Sequence, residues 1–293
     1  MVINVIKESH SEKSAILVVC HKPIPYVAKL ANSEINSNFY IHVDRKADID
    51  IIKKDFAPNL ENVFWLEKRV DVNWGGFSIV QSILSLMRVA LENKENLHFH
   101  LISGNCIFLD DITLIEKRMK SYPESSIFLE LSSSLRRRYR LRFNAPHADT
   151  KYQRSIIGRL LTKCFQLIDK LVYPRNELIK LAPFGNMWFS ANIEGMKQLL
   201  SIVTEDEETY FSHKLVPDEH FFQYLILKNG LQDTVYDNKR YIKFIGSANH
   251  PENLNYGELV SLERSKYWIA RKVSSGIALN YLENIKKDCG SEY

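Results

Sequence analysis

Two adjacent carboxylates, Asp218 and Glu219, follow Pro217 in the stretch Lys214-Leu-Val-Pro-Asp-Glu-His-Phe-Phe-Gln223. Proline fixes its own φ and offers no N–H, which suits a helix start, and the helix macrodipole favours acids in the first turn. Phe221, Phe222, Leu225 and Ile226 follow at a spacing that buries one helix face. A carboxylate on a helix anchored in this way is a rigid acid or base. An ordinary acidic helix start would read the same. Asp218 points about 100° away from Glu219 on such a helix, which suits capping or orienting a bound molecule. A second pair, Arg271-Lys272, follows the apolar segment Trp268-Ile-Ala270. A fixed stem with two mobile cationic tips is a way to clamp a diphosphate, although surface charges carry the same letters.

These side chains need a frame. Apolar runs at 15–20, 38–43, 62–66 and 98–102 read as strands, and 26–33, 48–56 and 77–93 as the helices between them. Strand and helix alternating in this way predict an α/β fold with a mostly parallel sheet and helices on both faces. In such sheets ligands bind beyond the carboxyl ends of the strands. Those ends are Cys20-His21, His42-Val-Asp44-Arg45 and Ser103-Gly104-Asn105. Further strands are expected from 127–130, from 181–189 and from 240–245, the last two joining the same sheet. Helices are expected over 193–203, 255–262 and 276–287.

The chain has 293 residues, 45% hydrophobic and 25% charged, enough for a full globular core. Its net charge of +4 fits an anionic ligand or a membrane surface and demands neither. No apolar run is long enough to span a bilayer, and the polar N-terminus lacks the core of a signal peptide. Four separated cysteines form neither a zinc pattern nor a disulfide framework, so a reducing cytoplasm is expected. The basic run Leu135-Arg-Arg-Arg-Tyr-Arg-Leu-Arg-Phe143 fits phosphates or nucleic acid, or a solvated face; no nucleic-acid fold accompanies it. Ser155 to Val172 is a basic amphipathic helix, for which an anionic membrane and core packing are alternatives. Asp48-Ile-Asp50 has the letters of a metal-binding pair, but it opens a helix, where capping accounts for it. Asp110-Asp111 reads as another N-cap.

Five short stretches occur in order: Trp74-Gly-Gly-Phe-Ser78, Leu101-Ile-Ser-Gly-Asn105, Gly185-Asn-Met-Trp188, Pro217-Asp-Glu-His-Phe-Phe222 and Ala270-Arg-Lys-Val273. Together they resemble the core-2/I-branching β-1,6-N-acetylglucosaminyltransferase and xylosyltransferase family, in its short bacterial form, from about Ala15 to Val273. The resemblance implies a three-layer, Rossmann-like GT-A fold in one glycosyltransferase domain over 1–293. Its nucleotide-binding part would cover roughly 15–110 and its acceptor and catalytic part roughly 111–293. It implies an inverting, metal-independent transferase that needs no cofactor and forms a β-linkage. Glu219 would be the general base, and Arg271 and Lys272 would stand in for the divalent cation at the diphosphate. Cys20, His42, Asp44 and Arg45 would lie in the nucleotide site. Trp74, Ser103, Gly104, Asn105, Trp188 and Asp218 would face the sugars. The partners implied are a UDP-sugar donor, carrying GlcNAc or another hexose or pentose, and a glycan or lipid-linked glycan acceptor of surface polysaccharide synthesis. Cytoplasmic residence with peripheral contact at an anionic inner membrane face would follow. A non-catalytic nucleotide-sugar or glycan-binding protein on the same scaffold is the alternative. The chain departs from the family pattern at Cys106, Ile107 and Phe108, where relatives carry Asp, an aromatic residue and Pro.

Overall fold

The computed structural model describes residues 12–245 and 250–289, without the side chains of 286–289. The N-terminal stretch 1–11 therefore lies outside the described residues. In chain order the first half comprises β1 (Lys13–Cys20), α1 (Pro25–Ser33), β2 (Ser37–Val43), α2 (Ile49–Lys53), β3 (Val63–Trp65), α3 (Phe77–Glu92), β4 (Asn96–Ser103), β5 (Cys106–Phe108), α4 (Ile112–Met119), β6 (Ile127–Phe128) and β7 (Ser132–Ser133). There follow α5 (Tyr139–Arg142), α6 (Ile156–Leu171), α7 (Glu177–Leu181), β8 (Pro183–Phe184), β9 (Ser190–Asn192), α8 (Ile193–Ser201), α9 (Glu205–Ser212) and α10 (Phe221–Lys228). The chain closes with β10 (Val235–Tyr236), β11 (Arg240–Ile242), α11 (Tyr256–Ser261), β12 (Ile269–Arg271) and α12 (Ser275–Cys289).

The main sheet has the order β10-β6-β9-β4-β1-β2-β3. Its β3, β2, β1 and β4 run parallel, and β9 is antiparallel to both β4 and β6. The apolar run of β1 is buried on both faces, as a central parallel strand must be. Ile16 and Val18 join a core with α1, α4 and α12, whereas Ala15 and Leu17 join a second core with α3, α8 and α10. Helix, sheet and helix thus form three layers. In α3, Phe77, Val80, Leu84 and Met87 recur on one buried stripe, and truncating a leucine in such a stripe costs about 2–5 kcal/mol.

Two sequence expectations are corrected. Residues 240–245 do not extend the main sheet: β11 pairs with β12, which pairs antiparallel with β5, giving a separate three-stranded sheet. The buried Arg240 joins the two sheets instead, its Nη2 donating to Phe189 O (2.5 Å) and Ser190 Oγ (3.1 Å). Within 181–189, β8 pairs only with β7, and the strand that enters the main sheet is Ser190–Asn192. Asp48 and Asp111 cap α2 and α4, accepting from Asp50 N and Thr113 N, and Asp110 pairs with Arg118.

Candidate active site

Residues Pro217–Glu219 form a 3₁₀ turn, and α10 begins only at Phe221. Asp218 and Glu219 therefore precede the helix rather than opening it, because Val216 adopts a left-handed backbone (φ 51°) that re-aims the chain. The turn is held from both sides. Val216 N and Gln153 Nε2 donate to Gly75 O at 3.2 and 2.9 Å, and Gly185 N donates to Glu219 O at 2.9 Å. Gly76 at the start of α3 lies so close to Asp149 that a Cβ would sit 2.0 Å from Oδ1. Asp149 accepts there from Ser78 N (2.9 Å) and Ser78 Oγ (2.6 Å). The Trp74-Gly-Gly-Phe-Ser stretch is thus a scaffold for the turn as well as a bearer of Trp74.

The Glu219 side chain is fixed by two guanidiniums. Arg137 Nη1 and Arg140 Nη1 both donate to Oε2, at 2.8 and 2.7 Å. Among the described residues Oε1 has no hydrogen-bond partner, and the side chain keeps 35% exposure. Burial works against the charge of Arg140, but Glu219 and Tyr139 hold its pKa above the ordinary value. His220 supports Arg140 from behind. Its Nδ1 lies 2.7 Å from Pro183 O, which assigns the proton there, and leaves Nε2 facing Arg140 Nη1 at 3.5 Å. Burial, and then Arg140, lower the His220 pKa to about 3, so the ring is neutral. Arg138 and Arg142 instead pair with the buried Asp169 of α6. Four of the five arginines in the run 135–143 are therefore paired to carboxylates of the chain itself.

Asp218 does not cap. Its Oδ1 is buried without a partner, and burial, then the charge of Glu219, raise its pKa to about 7. Glu219 opens into a cleft of about 1480 Å³ whose other walls include Trp74, Phe184, Asn186, Tyr236 and Phe244. Six cations line it (Arg137, Arg140, Arg154, Arg159, Lys163 and Arg240) against three acids, Glu130, Glu219 and Asp237. All three acids are engaged: Glu219 as above, Glu130 by Asn186 N at 3.0 Å, and Asp237 by Lys239 N at 3.3 Å. The surplus is positive and suits an anionic ligand. Trp74 is exposed, with the Arg154 guanidinium 3.5 Å over its ring.

The remaining sequence candidates gather at the carboxyl ends of β1, β2 and β4. Cys20 and His42 are buried: the thiol donates to His42 O, and His42 Nε2 accepts from Val70 N at 2.8 Å. Burial lowers the His42 pKa to about 4 and raises the Cys20 thiol to about 12. Both support the strand ends from within. Asp44 Oδ1 accepts from Lys46 N and Val72 N, and Arg45 faces Asp71 across 3.5 Å on the surface. Arg271 Nη1 donates to Ser103 Oγ, and its guanidinium lies 4.5 Å over the ring of the buried Trp188. Trp188 N donates to Asn186 Oδ1 at 3.1 Å, which links this group to the cleft. Val273 N donates to Asn105 O at 3.0 Å, and Gly104 packs against Ile24. Lys272 is half-buried, and its carbonyl accepts from Leu254 N.

Sequence reasoning missed Arg137, Arg140 and His220 as a unit. The i, i+3 spacing of the two arginines was the available signal, but nothing local connects it to a carboxylate some 80 residues later.

The family described as Branch, core-2/I-branching enzyme, matches residues 17–263 of this chain. No curated protein matches it. Among solved structures, the crystal structure of mouse xyloside xylosyltransferase 1 in its apo form matches at 14% identity and a TM-score of 0.41, covering 80% of this chain and 88% of that one.

Proposed function

The chain belongs to the core-2/I-branching enzyme family and is thereby a glycosyltransferase, and we propose that it is an inverting, metal-independent one that moves a sugar from a UDP-sugar to a hydroxyl of a glycan acceptor. The observation that carries this reading is Glu219. Its Oε2 is fixed by Arg137 and Arg140, and Oε1 is left for a substrate in a positively lined cleft. An inverting transfer needs one base to take the acceptor proton as that oxygen attacks the anomeric carbon. The bond from that carbon to the diphosphate breaks on the opposite face. The leaving diphosphate needs charge stabilisation more than a proton. Arg271, stacked on Trp188 beside Ser103, and Lys272 next to it are the cations proposed for that task. Asp48 and Asp50 open α2, where Asp48 is committed to capping, so they make a weak alternative metal site. GlcNAc is the first donor to test, followed by other hexoses and pentoses. A surface-polysaccharide or lipid-linked glycan is the acceptor class.

The test is a panel of UDP-sugars with glycan acceptors, run with EDTA and with manganese. Transfer is expected from at least one donor and is expected to survive EDTA. Replacing Arg271 and Lys272 together by Ala is expected to weaken UDP binding far more than uridine binding. Tight UDP-sugar binding without turnover on any acceptor would overturn the catalytic half of the proposal. A strict manganese requirement would overturn the metal-independent half.

A further inference from the structure

Helix α6 is amphipathic in an inverted sense. Only Gly158 and Asp169 are buried, whereas Ile156, Ile157, Leu160, Leu167, Ile168 and Leu171 are exposed by 44% to 86%. Core packing, one of the two alternatives read from the sequence, is therefore excluded for this face. At about 100° per residue these six side chains fall within an arc of roughly 120°, directed away from the protein. Arg159, Lys163 and Lys170 fall along one edge of that arc. The only acid in the helix, Asp169, points inward to Arg138 and Arg142. Between 150 and 180 the chain carries seven cations and two acids, and the second acid, Glu177, faces Lys180 at 3.6 Å. Exposed tyrosines stand at both ends, Tyr152 before the helix and Tyr173 after it.

We propose that α6 is a docking surface for an anionic phospholipid bilayer, lying in the plane of the interface with its apolar arc among the acyl chains. An interfacial helix of this kind combines a wide apolar face with a cationic flank that meets anionic headgroups, and tyrosines sit at headgroup depth. Charge favours this occupant over a second copy of the chain, since pairing two such faces would oppose like-charged flanks. Arg159 and Lys163 also line the cleft, so docking brings a wall of the cleft to the membrane. On the reading given under Proposed function, this arrangement favours an acceptor sugar tethered to a lipid. The docking itself does not depend on that reading.

The experiment is flotation of the full chain with two kinds of vesicle, one of phosphatidylcholine alone and one of equal parts phosphatidylglycerol and phosphatidylcholine. Partition to the anionic vesicles only is expected. Leu160→Glu with Leu171→Glu is expected to lower that partition by more than about tenfold, because two exposed leucines lose their burial. Lys170→Gln, a surface change that leaves the fold alone, is expected to lower it by roughly fivefold. Turnover on a soluble acceptor is expected to be unchanged in the leucine variant, which separates docking from catalysis. Absence of partition would overturn the proposal, as would equal partition to both vesicles. A solution dimer that the leucine variant converts to monomer, without vesicle binding, would assign the face to self-association instead.

Discussion

Glu219→Gln keeps the size and the hydrogen-bonding reach of the side chain and removes its charge and its basic oxygen. Loss of a positioned general base lowers turnover by about 10²- to 10⁴-fold, equivalent to roughly 3–5 kcal/mol of barrier. The structural cost is smaller. Arg137 and Arg140 lose a carboxylate at 2.8 and 2.7 Å, and a hydrogen bond to a charged group is worth about 1.5–3 kcal/mol when buried. Here the carboxylate keeps 35% exposure, which screens the pair, and the new amide oxygen still accepts one bond. A net loss of about 1–2 kcal/mol, or a few degrees of melting temperature, is expected. Single-turnover transfer, UDP-sugar affinity and thermal melting on the same preparation separate the two effects. Glu219→Ala adds a sharper test: it vacates the space between two guanidiniums, where formate can bind bidentately and act as an external base. Turnover of that variant is expected to rise with formate. Single-turnover transfer by Glu219→Gln within about threefold of wild type would refute the reasoning.

Other expectations follow from the same geometry. The Asp218 pKa is raised to about 7, so the native state holds a proton between pH 4 and 7 that the unfolded chain has released. Stability contributed by that proton is lost as pH rises through this window; Asp218→Asn is therefore expected to melt higher than wild type at pH 8 and alike at pH 4, measured by calorimetry. Gly185→Ala places a Cβ 2.0 Å from Glu130 O, and is expected to lower both stability and turnover because Gly185 N also holds Glu219. Retention of wild-type melting there would mean that the turn yields to the added methyl group at little cost. His220→Phe keeps an aromatic ring, slightly larger, but leaves Pro183 O and Arg140 without their ring partner. Its turnover is expected to fall with UDP-sugar affinity unchanged, as read from a kcat-against-KM split.

The sequence carried the layered part of this fold because that information is local. The unbroken apolar run of β1, the stripe of α3 and the capping residues Asp48 and Asp111 each fix a short segment whatever lies around it. Strand ends followed from the same runs, so Asp44 and Ser103 were legible as neighbours at one sheet edge, and Pro217-Asp-Glu219 stood out by its own letters. Tertiary structure decided the rest. Periodicity says that a helix has two faces and not what covers them, and α6 points its apolar face outward because Asp169, paired to Arg138 and Arg142, holds the opposite face down. The separate sheet β11-β12-β5 is tied to the main sheet by a buried guanidinium, a long-range contact with no periodic trace. The clamp on Glu219 is the clearest case. A run of arginines looks alike whether it faces solvent, phosphate or an internal acid, and only the folding of 135–142 against 183–220 brings Arg137 and Arg140 to one carboxylate oxygen.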